Sequence, residues 1–220
     1  MFEILSGFLF LLIIVILMLA TSKYGYEIFS ELDADAKLTE INEDPRKFRT
    51  GTMLVIMEHV VIICLAVSLF LAFSPFNLLL GIIWILARGA EGFLQILNKR
   101  KFLGLEDLAK QYSGSSGADK DTLSETALGI LTSKNSTFSL AQILFSIGTL
   151  AYSILFVITG VLPELIGWFG IVASIIYGFG NAVSRVRPTF KALWDIGGLL
   201  IWIFELVLGG WLLITPFLIP

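Results

Sequence analysis

The chain has 220 residues, 56% of them hydrophobic, and its mean hydropathy is +0.88. Because soluble globular domains are roughly 45–50% apolar, this composition argues against an ordinary water-soluble domain. The formal net charge is −3, and no nucleic-acid partner is expected. With a single histidine and a single cysteine, the chain has no means of forming a three-histidine zinc site or an internal disulfide.

Six apolar runs are each long enough to cross a bilayer core, which takes about 20 helical residues. They cover residues 4–20, 52–73, 76–97, 138–161, 165–183 and 194–214. We therefore predict an all-α, polytopic integral membrane protein whose six transmembrane helices form one bundle, a single domain over residues 1–220. The lipid bilayer of the cell membrane is its expected surroundings. Cys64, inside the second run, is expected to be a small buried side chain.

Two charged loops, residues 21–51 and 98–137, separate these runs and hold most of the basic residues. Fourteen of the fifteen lysines and arginines lie in these loops and near residues 184–192, which are the first, third and fifth connections. Since lysine and arginine in short loops mark the cytoplasmic side, both termini are predicted to be extracytoplasmic. A short surface helix is expected within residues 31–44. Residues 98–137 are expected to hold either short amphipathic helices or an ordinary ordered loop.

Five ionisable residues lie inside the apolar runs. Glu58 and His59 are in the second run, Arg88 and Glu91 in the third, and Glu205 in the sixth. Such groups cost about 2.5–3.5 kcal/mol each at a helix centre on insertion scales, so they are functional candidates by default.

Helical spacing brings several polar residues to one side of the third run. Trp84, Arg88, Glu91 and Gln95 are spaced i, i+4, i+7 and i+11, which places them on one helix face, where Arg88 and Glu91 can pair. Counting residues from the loops puts Glu58, Glu91 and Gln142 at similar depth from one side, with Arg88 and Glu205 deeper. The charged groups are therefore predicted to meet in one cavity.

The charge balance of this set favours a binding site. One arginine faces three glutamates, so full ionisation would leave two negative charges uncompensated in a low dielectric. A proton, a cation or a small polar molecule would relieve this imbalance. The alternative is a static polar bracket, in which Arg88 with Glu91 and Glu205 holds the third and sixth helices together.

Catalytic and metal chemistry have little support in the sequence. Neither an HExxH nor a GxSxG motif is present, and His59 is the only histidine. Glu58 and His59 are adjacent, so their side chains are expected to diverge by about 100° on a helix. We expect no metal, no cofactor and no catalytic residue. An enzyme that uses Glu91 or Glu58 as a general acid or base ranks last.

Several short motifs resemble a known family. The pattern of Glu58, Arg88-x-x-Glu91 and Phe204-Glu205-x-x-Leu208-Gly-x-Trp211-Leu-Leu resembles the six-pass prokaryotic membrane family called domain of unknown function 4386. The segment from Gly160-Val-Leu-Pro163 to Trp168-Phe-Gly170 fits as well. The resemblance implies a six-helix integral membrane protein with no established activity. It supports treating the four charged residues as a set.

Two functions follow from these observations. The first is binding or transport of a proton, cation or small polar molecule at a buried Arg/Glu cluster. Its predicted substrate- or ion-binding residues are Glu58, Arg88, Glu91, Glu205, Gln95 and Gln142, with His59 and Trp84 as accessory residues. The second is a non-catalytic membrane scaffold or regulatory subunit that contacts a protein partner, or another copy of itself, through its charged loops.

Overall fold

The structure is a computed structural model that describes the backbone of residues 1–218 and the side chains of residues 1–187 and 189–214. Within this part of the chain it contains eight α-helices and no strand, so the predicted all-α fold is confirmed. The helices are α1 (Phe2–Ser22), α2 (Ala34–Glu43), α3 (Pro45–Phe73), α4 (Leu78–Leu103), α5 (Leu105–Gly114), α6 (Ala118–Thr159), α7 (Glu164–Val186) and α8 (Lys191–Leu218). One turn of 3₁₀ helix, Pro188–Phe190, precedes α8.

Among the described residues, six segments are long and apolar enough to cross a membrane. They coincide with α1, α3, α4 continuing into α5, α6, α7 and α8. Large apolar side chains are exposed along them, including Leu79, Leu86 and Leu165. A soluble monomer rarely exposes so much apolar surface, whereas lipid-facing helices do. The chain is a multi-pass helical membrane protein, as predicted. Cys64 is exposed on α3, so its predicted burial is wrong, because it lies on an outward-facing side of the helix.

The third helix begins at Pro45, seven residues before the apolar run that predicts it. The Oδ1 atom of Asp44 accepts a hydrogen bond of 2.9 Å from the backbone N–H of Lys47. Aspartate before the first turn and proline at its first position are both favoured at helix N-termini. This local signal extends α3 into residues that the apolar pattern alone assigns to a loop.

Most of residues 98–137 are helical rather than loop. They contain the end of α4, all of α5 and the first twenty residues of α6. Apolar residues at helical spacing explain this, because Phe102, Leu105 and Ala109 are buried, as are Ala127 and Leu131. The helix expected within residues 31–44 is present as α2, whose N-cap Asp33 accepts a hydrogen bond from the N–H of Ala36.

The chain divides into two compact units. The first unit comprises Met1–Ile14, Val60–Phe93 and the chain from Ser139 onward. Its core is apolar and aromatic, with Phe10, Phe156 and Phe204 fully buried. Helices α7 and α8 lie close together because Gly197 faces Tyr177, where an added Cβ would come within 2.6 Å of a Cα atom.

The second unit comprises Val15–His59 and Leu94–Phe138. Helix α2 packs on α5, and its Leu38 and Ile41 are buried. Arg49 of α3 holds Glu106 of α5 with two hydrogen bonds of 2.8 Å each, the bidentate geometry that orients an arginine most firmly. That residues 1–220 form a single domain stays a prediction.

Candidate functional site

Arg88 is the centre of the site in the first unit. It lies on α4 with 1% of its surface exposed, and its Nη1 donates a hydrogen bond of 2.6 Å to Oε2 of Glu91, which is also buried. The two residues are three apart on one helix, so the pairing predicted from their spacing is present. Since both partners belong to α4, this ion pair does not itself connect two helices.

Aromatic rings enclose the guanidinium group. Its Cζ atom lies 4.3 Å from the ring centroid of Phe145 on α6 and 5.4 Å from that of Trp84 on α4. The Nε1 atom of Trp84 donates to the backbone carbonyl of Ala66 at 3.0 Å, which fixes the indole ring. Cation–π contacts of this kind stabilise a desolvated arginine by about 2 kcal/mol or more.

The aliphatic part of Arg88 requires a neighbour without a side chain. A Cβ atom added to Gly148 of α6 would lie 3.0 Å from Cγ and 3.2 Å from Cδ of Arg88, closer than ordinary packing allows. The absence of a side chain at Gly148 therefore allows Arg88 to pack directly against α6.

One donor of Arg88 is not used. Its Nε atom is buried and has no hydrogen-bond acceptor among the residues that the structure describes. Arginine stays protonated in proteins, so this N–H always needs an acceptor. A buried donor without one costs about 1–3 kcal/mol. The site is thus able to take one further acceptor atom at Arg88.

Two tyrosines, which the sequence analysis did not single out, complete the site. Tyr152 of α6 meets the Trp84 ring edge-on at 4.4 Å, and Tyr177 of α7 meets the Phe145 ring edge-on at 5.7 Å. The two phenol rings thus pack against the two aromatic rings that enclose Arg88, in the same unit as the half-buried Glu205 of α8. A search for charged residues overlooks both tyrosines, because tyrosine carries no formal charge at neutral pH.

Gln142 lies in the first unit as well. It is buried on α6, one turn before Ser146, whose hydroxyl donates to the Gln142 backbone carbonyl at 2.9 Å. Its side chain is a candidate polar group on the helix that carries Phe145 and Gly148.

The other candidates, Glu58, His59 and Gln95, lie in the second unit. Oε2 of Glu58 lies 3.1 Å from Nδ1 of His59, so the expected divergence of these two side chains is wrong. The glutamate side chain is long enough to turn back toward its neighbour. The same Nδ1 lies 2.7 Å from the carbonyl oxygen of Val55, which is the better-placed hydrogen-bond acceptor.

Two buried lysines accompany these residues. Lys99 donates to Oε1 of Gln95 at 2.9 Å, and Lys134 is fully buried on α6. Both lie in residues 98–137, which the sequence predicts as a charged loop. Lys99 lies four residues after Gln95 and therefore on the helix face that carries Arg88 and Gln95. This helical spacing predicts that Lys99 is buried as well.

Lys134 uses all three hydrogens of its ammonium group. It donates to the carbonyl oxygens of Glu27 and Ile28 at 2.6 Å and 3.2 Å, and to the hydroxyl of Ser30 at 2.8 Å. The ring of Tyr26 lies 5.1 Å from its Nζ atom. This ammonium group is saturated.

The predicted site residues thus fall into one set in each unit. Arg88, Glu91, Glu205, Gln142 and Trp84 belong to the first unit, and the remaining three to the second. That all of them share one cavity stays a prediction. Across the part of the chain that the structure describes, no group of three or more His, Cys, Asp or Glu side chains is placed to hold a metal ion.

Comparison with known protein families gives a match over most of the chain. The family model described as Domain of unknown function (DUF4386) matches residues 5–215. The chain belongs to this family. No curated protein and no solved structure matches the chain. The match includes every candidate residue in both units, and membership confirms the resemblance drawn from the Arg88-x-x-Glu91 and Glu205 motifs. The family description assigns no chemistry, which leaves the geometry around Arg88 as the basis for a functional proposal.

Proposed function

We propose that the first unit binds a small acidic molecule at Arg88 and takes up a proton together with it. The observation that carries this proposal is the Nε atom of Arg88, a buried donor without an acceptor in the described structure. A guanidinium group recognises carboxylates through parallel N–H groups. In this site Nη1 is held by Glu91, while Nε is available.

The proton follows from charge balance. A carboxylate bound at Arg88 adds a negative charge beside Glu91, which is buried. Two carboxylates on one guanidinium, in a low dielectric, would repel each other. A proton on Glu91 would remove this repulsion.

Acetate and acetamide test the proposal, since they have the same shape but only acetate is charged. Isothermal titration calorimetry of the purified protein in detergent, at constant ionic strength, measures their affinities. We expect acetate to bind the parent more tightly than acetamide. Arg88→Lys should lose about tenfold or more in acetate affinity, because lysine keeps the positive charge but lacks the parallel N–H groups of a guanidinium. Arg187→Lys, at an exposed arginine, is the control. Equal acetate binding by all three proteins would overturn the proposal.

Proton uptake is measured with the same titration in two buffers of different ionisation enthalpy. The parent should take up a proton when acetate binds. Glu91→Gln should bind acetate without this uptake, because the amide does not titrate. Proton uptake by Glu91→Gln equal to that of the parent would exclude Glu91 as the acceptor.

A scaffold or regulatory subunit is the second candidate. The observation that favours it is the exposed charge on α5 and at the start of α6, at Lys110, Asp119 and Lys120. Such a surface suits a protein partner or a second copy of the chain. If this second candidate is right, the parent and Arg88→Lys should both bind acetate as weakly as acetamide. The substitution would then change only the stability of the protein.

The proposal includes the orientation of the chain in the membrane. With the first, third and fifth connections in the cytoplasm, both termini are extracytoplasmic in the cell membrane. Ser116→Cys, at an exposed position in a Cys64→Ser background, reports on this. An impermeant thiol reagent added to intact cells should leave residue 116 unlabelled, and labelling would reverse the orientation.

A further inference from the structure

The second unit contains a cavity of about 150 Å³, separate from the residues around Arg88. Its lining combines the segment after α1 with α2 and the start of α3, and Phe102 of α4 also contributes. Bulk water occupies about 30 Å³ per molecule, so a volume of this size suits a ligand of a few heavy atoms.

The polar lining is mainly acidic. Four carboxylates face two lysines around the cavity: Glu27, Glu40, Glu43 and Asp44 against Lys37 and Lys47. Lys37 is already engaged, since its Nζ donates to Oε1 of Glu27 at 2.8 Å and to Oε2 of Glu40 at 2.7 Å. Burial acts to lower the pKa of Lys37, but these hydrogen bonds raise it above its usual value, so this lysine stays charged.

Two buried polar atoms of the lining residues lack partners. The hydroxyl of Tyr26 and the Oε2 atom of Glu27 make no hydrogen bond to any residue in the described ranges. Tyr26 is only 9% exposed, and a buried polar group of this kind needs a partner. Burial, together with the nearby carboxylates of Glu58 and Glu27, raises the pKa of Tyr26 well above its usual value. Its hydroxyl therefore keeps its proton.

We propose that this cavity binds a small primary ammonium compound. The ligand's N–H groups donate to Oε2 of Glu27, and a hydroxyl on the ligand pairs with the hydroxyl of Tyr26. The excess of carboxylates disfavours an anion. A metal ion would need at least three suitably placed ligands of the kind that the described residues do not group together. The short length of the ligand follows from the cavity volume.

Ethanolamine is the probe, and ethylene glycol is its uncharged control of the same length. Both are titrated by calorimetry into the full chain in detergent, at fixed ionic strength. Choline, whose nitrogen carries no hydrogen, is the second control. We expect ethanolamine to bind and both controls to bind at least about tenfold more weakly, the factor that one lost charged hydrogen bond gives. No binding of ethanolamine would mean that the cavity takes water only, and the proposal would be overturned.

Paired variants assign the contacts. Glu27→Gln should weaken ethanolamine binding about tenfold or more, while the amide oxygen still accepts from Lys37. Tyr26→Phe should weaken it severalfold. Their controls are Glu31→Gln, at an exposed residue outside the lining, and Tyr112→Phe, at a buried tyrosine of the same unit.

If Glu27→Gln lowers thermal stability, Glu43→Gln replaces it, since Glu43 lines the cavity but is exposed. Unchanged ethanolamine affinity in both Tyr26→Phe and the glutamate variant would overturn the assignment of the ligand to this cavity. The proposal does not depend on Arg88, so Arg88→Lys should bind ethanolamine as the parent does.

The same ammonium group ends the lipid phosphatidylethanolamine, which gives a second source. Titrations in nanodiscs of phosphatidylcholine, with and without phosphatidylethanolamine, separate the two. Weaker ethanolamine binding in the discs that contain phosphatidylethanolamine would identify the lipid headgroup as the occupant. Equal binding in both would identify a free amine.

Discussion

The two units bury positive charge in different ways. In the first unit, the arginine pairs with a carboxylate on its own helix, between aromatic rings, and one of its donors has no acceptor among the described residues. In the second, Lys134 gives all three of its hydrogens to backbone and hydroxyl oxygens. Burial alone therefore does not mark a binding site. What distinguishes Arg88 is the remaining hydrogen-bonding capacity.

The difference also changes what a mutation leaves behind. Removing Arg88 leaves the buried Glu91 carboxylate without its cation, whereas removing Lys134 leaves neutral oxygens without a donor. An uncompensated buried charge costs more than an unsatisfied neutral group. The comparison therefore predicts a ranking of stabilities as well as a difference in binding.

The largest effect is expected for Arg88→Leu. Because this change removes the guanidinium group that pairs with the buried Glu91, it should lower the free energy of unfolding by about 3–5 kcal/mol. Denaturant unfolding in mixed micelles measures it, with Arg187→Leu, at an exposed residue, as the control.

The double variant Arg88→Leu/Glu91→Leu should recover part of this loss, since apolar side chains can replace a buried ion pair. Wild-type stability in the single variant would mean that the ion pair does not contribute to the fold of the first unit.

A smaller effect is expected for Lys134→Met in the second unit. The carbonyl oxygens of Glu27 and Ile28 and the hydroxyl of Ser30 would lose their donor, at a cost of about 1–3 kcal/mol. The same unfolding assay applies, and Lys101→Met, at an exposed lysine, is the control. If Lys134→Met lowered the free energy of unfolding as much as Arg88→Leu does, the predicted difference between the two buried cations would be wrong.

The smallest effect is expected for Tyr26→Phe, and it depends on pH. The pKa of Tyr26 is raised in the folded protein, chiefly by burial, so the folded state holds this proton more tightly than the unfolded chain. The resulting stability is fully present below about pH 10, the ordinary tyrosine value, and declines as the pH rises toward the folded-state pKa.

Thermal unfolding from pH 8 to pH 11 tests this linkage, and the pH limits are chosen roughly around the ordinary tyrosine pKa. The parent should lose stability above about pH 10 more steeply than Tyr26→Phe. Tyr24→Phe, which leaves Tyr26 in place, should follow the parent. If stability falls equally with pH in all three proteins, the ionisation of Tyr26 is not coupled to folding.

Composition and spacing predict a large part of this structure. Apolar runs locate the membrane segments because a bilayer imposes a fixed length, and the i, i+3 spacing of Arg88 and Glu91 predicts their contact. Both predictions depend only on local geometry along one helix.

The features that sequence did not predict depend on contacts between distant segments. Lys134 has the charge of a loop residue, and its burial requires oxygens from residues about a hundred positions earlier. Tyr152 and Tyr177 have no spacing that relates them to Arg88, because they lie on α6 and α7. Asp44 and Pro45 are residues typical of a helix N-terminus and indicate the start of α3 at Pro45. The hydropathy pattern instead places the start of this helix at residue 52, where the apolar run begins.

The exposure of Cys64 has a practical consequence for spectroscopy. It is the only cysteine of the chain and lies on the surface of a membrane helix, so the native protein offers one defined attachment point for a nitroxide. Relaxation of this spin label by oxygen, which concentrates in lipid, and by a nickel chelate, which stays in water, would report its immersion depth. One native side chain can thus serve as a ruler for the position of α3 in the bilayer.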